Sequence, residues 1–118
     1  MSKELILETM ESIKEYLPKL IVASETISRD IQTNQGGWLD TMLAYLEGIE
    51  WLTTAITGIK QLDQEILAGI DIQDLVPSIG QINQALGTSD YVALCDTLLY
   101  ELQPLLISYE EEIRRVLH

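Results

Sequence analysis

Residues 6–31 read ILETMESIKEYLPKLIVASETISRDI, and this stretch decides the fold. Ile6, Met10, Ile13, Leu17, Leu20, Ser24, Ile27 and Ile31 step alternately by four and three along it. That spacing lays them down one face of an α-helix. All but Ser24 are apolar, and Glu4, Glu8, Glu11 and Glu15 form an acidic stripe beside them. Ser2 is a suitable N-cap, and Glu4 in the first turn suits the helix dipole. Pro18 frees the Lys14 carbonyl, so a kink is expected there. The apolar phase continues past it, so the helix should run to about Thr33, where Asn34-Gln35-Gly36-Gly37 gives strong turn chemistry.

The same period recurs three more times. A second helix is expected from about Trp38 to Leu67, with Leu39, Met42, Leu46, Ile49, Thr53 and Ile56 as its main stripe and Gly69 after its end. Ala44, Gly48, Ala55 and Gly58 make a second stripe of small residues, sharing a face with Trp51. Glycine inside a helix costs about 1 kcal/mol relative to alanine. Two of them imply either a ligand pocket or room for a bulky neighbour, such as a tyrosine from another helix, and the packing role is favoured. A short third helix starts from Asp71, with regular turns from about Val76, carries Leu75, Ile79, Ile82 and Leu86, and ends at Gly87. Thr88 or Ser89 caps a fourth, with the stripe Tyr91, Cys95, Leu98, Leu102, Leu105, Tyr109, Ile113 and Val116, and Pro104 should bend it. No strand signal, repeat or linker interrupts this pattern. The expected object is an all-α antiparallel four-helix bundle, one domain over residues 1–118, with a short third helix and proline kinks in helices 1 and 4.

Composition agrees with helix-on-helix packing: 47% of residues are hydrophobic and phenylalanine is absent. The formal net charge is −12, from 19 acidic and 7 basic residues. Such a surface repels phosphate and anionic lipid, so neither nucleic acid nor a membrane is an expected partner. A partner with a basic rim is easier to approach, although the charge has a simpler role in keeping a hydrophobic bundle soluble. A single cysteine, no signal-peptide pattern and no long apolar segment point to the cytoplasm.

Chemistry-bearing residues are sparse. The only histidine is His118, which excludes the usual histidine-based metal sites and the usual base for a nucleophile. Cys95 falls on an apolar stripe and reads as core. Glu47 and Glu50 are three apart and would share a helix face, but no complementary base accompanies them. No catalytic residue, metal ligand or cofactor is expected, and the chain reads as a non-enzyme.

One mismatch points to function. The fourth helix outruns the third by about 12 residues, on the order of 18 Å. Either residues 68–76 climb along the bundle as a strap, or an apolar stretch of the fourth helix stays uncovered. In the second case Leu105, Tyr109 and Ile113 would contact a partner helix or a second copy, with Glu110 and Glu112 guiding a basic rim. Alternatives are a structural homo-oligomer without a hetero-partner, and a small-ligand binder or enzyme with a pocket between helices 2 and 4 lined by Gly48, Trp51 and tyrosines.

The segment Asp90-Tyr-Val-Ala-Leu-Cys-Asp-Thr-Leu-Leu-Tyr-Glu-Leu-Gln-Pro-Leu-Leu106 covers 17 of 118 residues. It resembles a stretch found in small helical proteins of Gram-positive bacteria, and that resemblance implies no activity. In size, charge and helix pattern the chain is similar to the small acidic helical chaperones of flagellar and related export systems. That fold-level likeness implies an adaptor or chaperone-like role, holding an amphipathic helix of a client.

Overall fold

A computed structural model of the chain describes residues 2–118. It is an all-α bundle with α1 (Ser2–Gln32), α2 (Trp38–Leu62), α3 (Leu75–Thr88), α4 (Tyr91–Thr97) and α5 (Gln103–Leu117). A π turn, Leu98–Leu102, joins α4 to α5 so that the three run on as one fourth rod. The molecule measures 48 × 22 × 19 Å, and α1, at 31 residues, spans its whole length. α1 passes through Pro18 without a break. Its apolar face is the spine of the core: Met10, Ile13, Leu17 and Ile27 are fully buried, packed with Met42, Leu52 and Ile56 of α2 and Leu94, Leu98, Leu102 and Leu106 of the fourth rod.

The turns are local chemistry. Asn34 and Gly37 take positive φ between α1 and α2, and Trp38 stacks edge-on against Tyr91 at 5.6 Å to close that end. α2 stops at Leu62, five residues earlier than its apolar pattern suggests. Asp63 turns extended and its carboxylate accepts from the Glu65 amide at 3.0 Å, an Asx turn that competes with the next helical turn. Asp71 accepts from the Gln73 amide at 3.0 Å and caps a 3-10 turn, Ile72–Asp74, that leads into α3. α3 runs one residue past Gly87 to Thr88, and Ser89, in the left-handed region at φ 53°, closes it. The cap of α4 is Asp90, whose carboxylate accepts from the Ala93 amide at 3.1 Å, and not Thr88 or Ser89.

Pro104 shapes the fourth rod through the π turn. A proline here denies the Tyr100 carbonyl its donor and crowds it. The Gln103 amide instead reaches back to the Leu98 carbonyl, a five-residue step that widens the turn. No helix among the described residues is long and apolar enough to cross a membrane.

Of the two alternatives left by the helix-length mismatch, the strap is the one observed, but over residues 63–71 rather than 68–76, because α2 ends early and Ile72–Asp74 already form the 3-10 turn before α3. Leu67 and Ile70 plug the core, at 0% and 1% exposure. Two successive carbonyls are held: Ile70 accepts from the Lys60 ammonium, and Asp71 accepts from the Tyr109 hydroxyl at 3.1 Å. The strap therefore hangs between the end of α2 and the outer half of α5, where α3 does not reach.

Candidate functional site

The strap overturns the expected partner stripe. Tyr109 and Ile113 are 3% and 0% exposed, and Leu105 is half-buried. Tyr109 and Ile113 are internal to the folded chain, in one core cluster with Leu67 and Ile70 of the strap, and the Tyr109 hydroxyl is tied to Asp71. The two acids are also engaged at home. Glu110 pairs with Arg114 at 3.5 Å, and Glu112 pairs with Arg115. Glu112 also lies against the strap, since a Cβ on Gly69 would stand 2.7 Å from its carboxylate. Tyr109 and Glu112 thus meet the strap, Ile113 belongs to the core and Leu105 packs against it, and the rim charges Glu110 and Glu112 are paired one turn away on their own helix.

The open surface lies instead between α1 and α2. Ser12, Glu15, Tyr16 and Lys19 of α1 face Ala44, Glu47, Gly48 and Trp51 of α2 across a hollow of about 580 Å³. Its floor is built by one omission. A Cβ on Gly48 would collide with the Tyr16 hydroxyl and stand 3.0 Å from Leu20. The missing side chain lets Tyr16 lie across α2 and meet Trp51 edge-on, with centroids 5.4 Å apart and planes at 82°. Trp51 remains 42% exposed, so its indole face is free to make contacts.

A second hollow, about 190 Å³, continues the same seam one to two turns further along, with Leu5, Thr9, Ala55, Gly58 and Leu62 among its walls. Together the two make a furrow running from Lys19 and Ala44 to Leu5 and Leu62. At 1.5 Å per residue, the α2 side of it covers roughly 27 Å. Leu5 and Leu62 stand half out of it, at 56% and 50% exposure. Gly58 differs from Gly48, because no atom of the fold comes within 4 Å of where its Cβ would be. The expected packing role of the small-residue stripe therefore holds at Gly48 and has no counterpart at Gly58. The pocket expected between helices 2 and 4 is corrected to this α1–α2 seam, since Gly48 and Trp51 face α1.

Other titratable groups serve the fold. The Ser24 hydroxyl donates to the Leu20 carbonyl at 3.2 Å, so the Tyr45 hydroxyl, 2.9 Å away, donates to Ser24. Burial pushes the Tyr45 phenol up to about 12, partly opposed by that bond. Burial also pushes Tyr109 to about 12, with Asp74 and Asp71 adding to the effect. Cys95 is buried beside the Ser28 carbonyl at 3.8 Å, and desolvation raises its thiol, the opposite of what a nucleophile needs. Glu47 and Glu50 lie on opposite flanks of α2, Glu47 in the furrow and Glu50 towards α3, so they do not act as a pair. Among the described residues, no group of three or more His, Cys, Asp or Glu side chains is placed to hold a metal ion.

Sequence reasoning picked out Gly48, Gly58 and Trp51 on α2 but missed Tyr16, Ser12 and Leu5 opposite them. Tyr16 sits one position off the buried stripe of α1, and its spacing alone does not say which helix it meets. No curated protein and no solved structure matches the chain. The family model described as "Domain of unknown function (DUF8042)" matches residues 8–112, which takes in the strap and the furrow except for its Leu5 end, and the chain belongs to that family.

Proposed function

We propose that this protein is a non-catalytic interaction module, adaptor or chaperone-like, that receives an amphipathic helix of another protein along the α1–α2 furrow. The observation that carries the reading is Gly58, a mid-helix glycine with open space before it, in line with the half-exposed Trp51, Leu5 and Leu62. A glycine that no neighbour requires costs helix stability, and a backbone laid against it supplies a reason for it. Small floor residues with an aromatic anchor suit helix-in-groove binding. Glu15 and Glu47 on the rim, against Lys19 alone, favour a partner helix with basic flanks.

The test is purification of the tagged protein from the cells that make it, beside three variants. A co-purifying polypeptide should be lost from Gly58→Leu and from Trp51→Ala, and kept by Val22→Glu, on an exposed site away from the furrow. Loss from none of the three, or equal loss from all, would refute the reading.

A second reading rests on the Tyr16–Trp51 corner, whose volume falls in the range of small-molecule pockets. A metabolite that raises the melting temperature of the wild type and of Gly58→Leu, but not of Trp51→Ala, would favour a small ligand in that corner over a helix along the whole furrow.

A further inference from the structure

The charged side chains of the furrow are gathered at one end. The hollow at Tyr16 and Trp51 has Glu15, Glu47 and Lys19 among its walls, whereas the hollow around Gly58 is lined by no charged residue. Glu15 adjoins Tyr16 on α1, and Glu47 lies one turn before Trp51 on α2, so the two acids flank the corner from opposite helices. Both are exposed, and Lys19 pairs with neither, since the ion pairs among the described residues lie within α5. Tyr16, let across by Gly48, braces the Trp51 ring at 82°, and 42% of Trp51 stays exposed. The other indole, Trp38, is half-buried and engaged with Tyr91. Acids alone are a solvated face, and this chain has many. The corner differs in holding a braced, exposed indole between acids that the fold leaves unpaired.

We infer that this corner is a guanidinium site, filled by an arginine of the partner helix. A cation is attracted to the face of an indole, and arginine adds a plane that stacks there while its N–H groups reach outward to carboxylates. A lysine ammonium brings the charge without the stacking plane. Two acids against one base leave the corner attractive to a cation in spite of Lys19. The inference rests on the reading of the furrow as a helix groove and adds a register to it. Trp51 and Gly58 are seven residues apart on α2, about 10 Å. The partner helix therefore carries its arginine about two turns from the face that meets Gly58.

The probe is N-acetyl-arginine amide, titrated to tens of millimolar at low salt into the isotope-labelled protein, beside its neutral isostere N-acetyl-citrulline amide. The Trp51 indole N–H signal should shift saturably with the arginine probe and not with citrulline, while the Trp38 signal stays in place. Glu15→Gln combined with Glu47→Gln alters two exposed side chains without changing their shape, and should weaken binding about fivefold. Lys19→Gln should strengthen it. A Trp51 signal that does not move, moves equally with citrulline, or is indifferent to the paired glutamines would overturn the inference. The helix-groove reading has a separate fate. A polypeptide lost from Gly58→Leu, with no arginine shift at Trp51, would sink the guanidinium site and leave the groove standing. An arginine shift that Gly58→Leu keeps, with no polypeptide captured by the wild type, would uphold the site and sink the groove, leaving a free guanidinium compound as the occupant.

Discussion

Ser24 shows how one residue can break a pattern for a reason. It interrupts the apolar stripe of α1, fully buried, because it is the acceptor for the Tyr45 hydroxyl across the α1–α2 interface. The two substitutions that break this bond should differ in cost. Tyr45→Phe leaves Ser24 bonded to the Leu20 carbonyl and should cost about 0.5–1.5 kcal/mol. Ser24→Ala strands a buried phenol and should cost about 1–3 kcal/mol, so urea melts of the two variants give the order. The same phenol makes stability depend on alkaline pH. The folded-state value, about 12, exceeds the ordinary 10, so the folded chain holds a proton that the unfolded chain releases. The stabilisation is full below pH 10 and is lost as pH rises to about 12. Two units at about 1.4 kcal/mol each make that loss roughly 2–3 kcal/mol. Urea melts across this range should fall less steeply for Tyr45→Phe, and equal slopes would count against the assignment.

At the scale of elements, the glycines of α2 and the strap carry different burdens. Gly48→Ala should destabilise, because Tyr16 must leave its place and its contact with Trp51. Gly58→Ala meets nothing and should stabilise by up to about 1 kcal/mol, while weakening any partner that lies against it. A Gly58→Ala variant less stable than the wild type would show that this position is constrained by the fold after all. The strap is ordered by Leu67 and Ile70 rather than by secondary structure. Leu67→Ala should cost about 2–5 kcal/mol. The loss should be accompanied by faster hydrogen exchange in residues 63–71, and unchanged exchange there would mean that the two carbonyl bonds alone hold the segment. The π turn belongs to the same scale: Asp96 and Tyr100 have a spacing that suggests a helix-face hydrogen bond, yet they make none. The extra residue in the turn intervenes, and Tyr100 is left 73% exposed.

For the molecule as a whole, charge dominates. The ion pairs among the described residues are both within α5, Arg114 with Glu110 and Arg115 with Glu112. Most of the 19 acids therefore face water without a basic partner. Adding sodium chloride from low to physiological ionic strength should raise the melting temperature, as the screening length falls from about 30 to about 8 Å. A melting temperature indifferent to salt would mean that the acids are spaced too widely to repel.

The helices, their order and the spine of the core were legible in the sequence, because apolar residues repeating at three and four report a buried helix face wherever that helix later packs. The small-residue stripe of α2 and the shortfall of α3 were legible too, as facts about single elements. What each would face was not. Whether Tyr109 and Ile113 are covered depended on a nine-residue segment with no periodicity, held by Lys60 and by Tyr109 itself, contacts 10 and 38 residues apart in the chain. The furrow depended on Tyr16 of α1 crossing to Gly48 of α2. Periodicity records the inside and outside of one helix, whereas a strap or a groove is a relation between elements, decided only when the chain is packed.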